Sequence, residues 1–158
     1  PKEQMMASFF FGRAIKTLTP TGLCLILILT FAAPVAAGTD KYRRMINCDI
    51  RNASCTQSLK DVNVTLAVAP QPVKAMEDLQ FRITLTGAAA ATDEAPYIDL
   101  AMPGMDMGPN HVVLKAVGKN SYAGSGIIVR CPSGRTIWQA TVTVPGQGTV
   151  RFIFDVVY

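Results

Sequence analysis

Residues 102 to 111 read Met-Pro-Gly-Met-Asp-Met-Gly-Pro-Asn-His, which puts three of the seven methionines beside the only histidine of the chain. Thioethers are soft, neutral donors that bind Cu(I) without losing a proton, and imidazole accepts copper in either oxidation state. Met102, Met105, Met107 and His111 are therefore candidate metal ligands, with copper as the metal. Asp106 is a harder donor, better suited to Cu(II), or simply a turn residue. An ordinary structural reading stands beside this one. Met102 continues the apolar series Ile98 and Leu100, so it fits a buried strand face, and methionine on a loop can also be an adaptable apolar contact for a partner protein. Residue types alone leave both readings open.

The loop hangs between two segments of strand character. Apolar residues alternate at Val62, Val64, Leu66 and Val68, then at Leu79, Phe81, Ile83 and Leu85, then at Ile98, Leu100 and Met102. This period of two marks strands with one buried face. Val112 to Val117 reads as a fourth strand and Tyr122 to Arg130 as a fifth, whose Gly124 and Gly126 suggest a bulge or a close backbone approach. Trp138, Ala140, Val142 and Val144 give a sixth, and Val150, Phe152, Phe154 and Val156 a seventh. Short strands joined by Pro/Gly turns predict an all-β domain, an immunoglobulin-like antiparallel β-sandwich of about seven strands over residues 61–158. Residues 39–60 read as a tether.

The N-terminal part has a different composition. Residues 1 to 46 hold six basic and two acidic side chains, whereas residues 47 to 158 carry nine of each, so the net charge of +4 belongs to the N-terminal segment. A neutral domain without a basic stripe argues against nucleic-acid binding. No charge falls between Lys16 and Asp40, and the apolar run Leu23 to Phe31 is followed by small residues at Val35 and Ala37. Residues 1–38 are thus expected to form a signal peptide cut before Gly38 or, since the uncharged window 17–39 is long enough to span a bilayer, an N-terminal hydrophobic helix kept as a membrane anchor. Either reading places the domain outside the cytoplasm, in the periplasm or at the cell surface, secreted or tethered.

Cysteine usage agrees with an oxidising compartment. Cys24 lies in the apolar run, and the remaining three permit one intramolecular bridge. The spacing of Cys48 and Cys55 favours a local disulfide and leaves Cys131 as a free thiol, with pairing to Cys131 the alternative. Enzymatic chemistry finds little footing. A single histidine would have to serve as the base of any triad, no Gly-x-Ser-x-Gly elbow or Cys-x-x-Cys pair occurs, and Gly124-Ser-Gly126 opens no helix that could cradle a phosphate. The chain is expected not to be an enzyme, and no cofactor other than copper is indicated.

The run Ile98-Asp-Leu-Ala-Met-Pro-Gly-Met105, then His111-Val-Val-Leu, then Gly118 through Tyr122-Ala-Gly124, then Trp138-Gln-Ala-Thr-Val-Thr-Val144, resembles the YtkA-like and FixH-like family of extracytoplasmic domains. The resemblance covers about residues 60 to 158. It implies a small immunoglobulin-fold module, often membrane-tethered, associated with copper handling and the assembly of haem-copper oxidases. Met102 and Met105 match the family's Met-Pro-x-Met motif, while Met107 stands where family sequences often have histidine. The expected function is transient copper binding for delivery or tolerance, with a membrane-protein or oxidase-assembly partner. The alternative is a non-metal interaction domain, an accessory subunit of a membrane or extracellular assembly.

Overall fold

The computed structural model describes residues 39–87 and 94–158. The signal or anchor reading of residues 1–38, with its hydrophobic helix, lies outside the described residues. A short helix, α1 (Thr39–Arg43), precedes nine strands: β1 (Cys55–Leu59), β2 (Val62–Ala69), β3 (Asp78–Gly87), β4 (Tyr97–Ala101), β5 (His111–Val113), β6 (Lys115–Gly118), β7 (Ser121–Ile127), β8 (Ile137–Val144) and β9 (Gly148–Asp155). They form two antiparallel sheets, β1-β2-β3-β7-β6 and β5-β4-β8-β9, packed as a β-sandwich.

Alternation in the sequence becomes burial in the fold. Val62, Val64, Leu66 and Val68 of β2 and Leu79, Phe81, Ile83 and Leu85 of β3 turn inward from one sheet. Ile98 and Leu100 of β4, Trp138, Ala140, Val142 and Val144 of β8, and Phe152 and Phe154 of β9 meet them from the other, in one hydrophobic cluster. Each large side chain fully buried in this way contributes about 1.5–3 kcal/mol.

Among the described residues nine strands stand where seven were expected, for two physical reasons. The expected tether contains β1, which pairs with β2 from Cys55↔Leu66 to Leu59↔Val62. As an edge strand of polar composition, Cys-Thr-Gln-Ser-Leu, it half-buries Cys55, Gln57 and Leu59, and the polar Gln57 interrupts the apolar alternation. The expected fourth strand is two strands in different sheets. β5 pairs with β4 and β6 pairs with β7, with Leu114 alone between them and buried. The chain can cross between sheets here because β7 offers glycine: a β-carbon on Gly124 would lie 2.2 Å from the Val113 carbonyl oxygen, and one on Gly126 would lie 2.6 Å from Val112 Cγ2.

Cys48 and Cys55 form the disulfide, with Cα atoms 5.5 Å apart, and Cys131 is free and buried. Upstream of the bridge, the amides of Asn47 and Cys48 donate to the Ile153 carbonyl, and the Asn47 side chain accepts from the Ile153 amide at 2.8 Å. The segment before the bridge therefore covers the outer edge of β9, while the segment after it becomes β1.

Candidate metal centre

The Met-rich loop leaves the sandwich at the end where β4 stops and β8 begins. Met102 carries the inward face of β4 one step further and is only 2% exposed, as the series Ile98, Leu100, Met102 predicts. Pro103 and Gly104 then reverse the chain. The Met105 amide donates to the Met102 carbonyl at 3.1 Å, Gly104 has φ +72°, and Met102 and Met105 form an antiparallel bridge. Proline at the second position and a left-handed glycine at the third are the signature of a type II turn. Residues paired in this way project to the same side, with β-carbons about 4.5–5.5 Å apart.

Met107 follows two residues later, and the burial pattern keeps the period. Met105 and Met107 are partly buried against the core, whereas Asp106 between them is exposed. Asp106 Oδ1 accepts the Gly108 amide at 3.1 Å, so this carboxylate closes a local turn. The fold thus pairs Met102 with Met105 across the turn and leaves Met105 and Met107 half-buried against the core that holds Met102.

His111 is placed differently. It opens β5 directly opposite Asp99, with Nδ1 3.4 Å from Asp99 Oδ1, and its side chain is 53% exposed. Its ring meets Tyr97 edge-on at 6.4 Å between centroids. Because Val112 points into the core, His111 belongs to the outer face of the four-stranded sheet, whereas Met102 lies on the inner face. The sheet separates the imidazole from the Met102 thioether. Among the described residues no group of three or more His, Cys, Asp or Glu side chains is placed to hold a metal ion, so any site at this loop depends on sulfur from methionine.

Two residues that carry no sequence motif also shape the loop. Arg135 Nη2 donates to the Pro103 carbonyl at 2.7 Å, and its guanidinium sits 4.1 Å from the centroid of the Tyr42 ring, a cation–π contact. The Tyr42 hydroxyl lies against Gly104, where a β-carbon would come within 2.6 Å of it. The only trace of this in the sequence is Gly104 itself, which the turn requires anyway.

Cys131 sits nearby in the turn before β8. Its Sγ is 3.0 Å from the Ser133 hydroxyl, and its amide donates to Tyr158 Oη at 3.1 Å. The same Tyr158 oxygen accepts from Trp138 Nε1 at 3.3 Å and donates its own proton to the Arg135 carbonyl. The Ser133 hydroxyl first, then the amides of Ser133 and Arg135 and the Arg135 charge, hold the Cys131 thiol below its ordinary range against the upward push of burial.

No protein-family model, curated protein or solved structure matches the chain.

Proposed function

We propose that the protein is an extracytoplasmic, immunoglobulin-like copper carrier of the YtkA-like or FixH-like kind, which takes Cu(I) as cargo on the thioethers of Met102, Met105 and Met107 and passes it on. The observation that carries this reading is the turn that pairs the buried Met102 with Met105 and is followed directly by Met107, the last two half-buried against the core. Three neutral sulfurs suit Cu(I), need no deprotonation, and give a site that can also release its ion. His111 is left out of the donor set, since it lies across the sheet. A disulfide between Cys48 and Cys55 fits residence in an oxidising compartment.

The test is competition for Cu(I) between the full chain and a chromophoric Cu(I) chelator. One ion per chain is expected, lost in Met105→Ala/Met107→Ala and kept in His111→Ala. Binding by the wild type no stronger than by the double methionine variant overturns the proposal.

A second reading, an accessory subunit that binds no metal, draws on other residues. Val113 is 72% exposed and Tyr97 45% exposed, and both border an open cavity of about 500 Å³ at the β5 edge. Association with a membrane or extracellular partner that is lost in Val113→Asp and retained in the double methionine variant favours this reading. The reverse pattern removes it.

A further inference from the structure

Tyr42 of α1 and Arg135, just before β8, are far apart in the sequence and converge on the same turn, Pro103–Gly104. The Tyr42 hydroxyl occupies the space beside Gly104 that any side chain there would need, and Arg135 both stacks on the Tyr42 ring and donates to the Pro103 carbonyl. Each partner is itself anchored. Arg135 is held through its carbonyl by the Tyr158 hydroxyl, which also accepts from Trp138 and from the Cys131 amide. α1 is held at its last residue, because Arg43 lies 3.8 Å from Asp155 Oδ2, the oxygen that also takes Arg51 at 2.5 Å. The Met45 amide donates to the Tyr42 carbonyl at 3.0 Å and fixes the turn that presents the ring.

We propose that Tyr42 and Arg135 form a strap across the Pro103–Gly104 turn, acting as positioning residues for the Met102, Met105 and Met107 thioethers, so that Cu(I) binding and the docking of α1 are coupled. The inference rests on the Cu(I) reading of the loop. Methionine side chains are long and flexible, and the affinity of three of them for one ion depends on how firmly the backbone beneath is held. The turn's own hydrogen bond fixes its shape, and the strap fixes its position on the domain. Coupling is reciprocal: whatever the strap adds to Cu(I) affinity, Cu(I) must add to the docking of α1.

The experiment uses the full chain, Cu(I) with a competing chelator, and amide hydrogen exchange. Tyr42→Ala and Arg135→Gln are each expected to weaken Cu(I) binding about tenfold without altering the far-ultraviolet circular dichroism. Tyr42→Phe, which keeps the stacked ring, and Arg135→Lys, which keeps a donor and a charge, recover most of the loss. The double variant loses less than the sum of the two, because both remove one strap. In the wild type, Cu(I) slows exchange of the amides of residues 42–46, and in Arg135→Gln it does not. Wild-type binding of Cu(I) with unchanged affinity in Tyr42→Ala, or no effect of Cu(I) on residues 42–46, overturns the coupling and leaves the copper reading standing. A wild type that binds no Cu(I) removes the copper reading and the coupling together. The metal-free protein then still tests the strap, which falls if exchange at residues 104–107 is the same in wild type and Tyr42→Ala.

Discussion

Burial alone would push the thiol of Cys131 up, yet the hydroxyl of Ser133, two amides and the charge of Arg135 outweigh it and lower it from the ordinary value of 9.0. The consequence for stability has a definite sign. As pH rises, the folded chain gives up this proton before the unfolded chain does, so between the two pKa values the unfolded state binds more protons and stability climbs with pH. The gain is complete above about 9, the unfolded value, and is lost as pH falls through the lowered folded value. Urea titrations of wild type and Cys131→Ala, followed by the fluorescence of Trp138, the only and fully buried tryptophan, should show the gap between their midpoints shifting in favour of the wild type as pH is raised from neutral. A gap independent of pH would show that the hydrogen bonds around Sγ do not favour the thiolate. At this scale the sequence was partly legible. Three cysteines outside the apolar run required a leftover thiol, and the alternation through Ile98 and Leu100 gave Met102 a core face. The same alternation sets His111 on the opposite side of the sheet, but that follows only once β5 is registered against β4, Asp99 facing His111, and no local pattern fixes that register. Tyr42 and Arg135 left no signal, since a contact between residues so far apart in the chain is made by the tertiary fold.

Strands were read well where one face is buried and poorly where the chain does something else. β2, β3, β4, β8 and β9 all carry the period of two, and each forms within a residue or two of the span it predicts. β1 was not legible because its inward face, Cys55, Gln57 and Leu59, is only half-buried and carries a polar residue at its centre. The division of residues 111–118 between two sheets is hidden because Val112 to Val117 is an almost unbroken apolar run, interrupted only by Lys115, with nothing to mark where the pairing partner changes from β4 to β7. The two glycines of β7 were the local clue, and they point to a decisive substitution. In Gly124→Ala the new methyl would lie 2.2 Å from a backbone carbonyl oxygen, which cannot rotate away as a side chain can. Either β5 lifts from β7 or the strand switch distorts, at an expected cost of about 2–3 kcal/mol. Gly118→Ala is the internal comparison, because its β-carbon would meet only Ser121 Cβ at 3.8 Å, an ordinary contact. Urea midpoints should fall sharply for the first and barely move for the second. Equal midpoints would mean that the crossing between the sheets is looser than the packing of Val113 on β7 implies.

The two layers of the sandwich have two open sides, and the chain closes each by a different device. On one side β5 runs directly into β6, so the edges of the two sheets are joined through Leu114. On the other side the edges are β9 and β1, and the joint is the segment around the disulfide, with Asn47 and Cys48 bonded along β9 and Cys55 opening β1. The layered architecture was legible because it follows from buried strand faces. The closure was not, because it depends on which strands become edges. A bridge across seven residues closes only a short loop, so by chain entropy it should stabilise the fold by no more than about 2–3 kcal/mol. Its position adds a spatial expectation to that magnitude. In Cys48→Ala/Cys55→Ala the loss should appear as faster amide exchange in β1 and at residues 47–48 and 151–153, where the two sheets are held together, while β5, Leu114 and β6 keep their protection. The loop of Met102, Met105 and Met107, tied to the domain through β4 and Arg135, should keep its Cu(I) stoichiometry in the same variant. If exchange instead rises uniformly over both sheets, the bridge acts only by restricting the unfolded chain, and closure of this side belongs to the hydrogen bonds of Asn47.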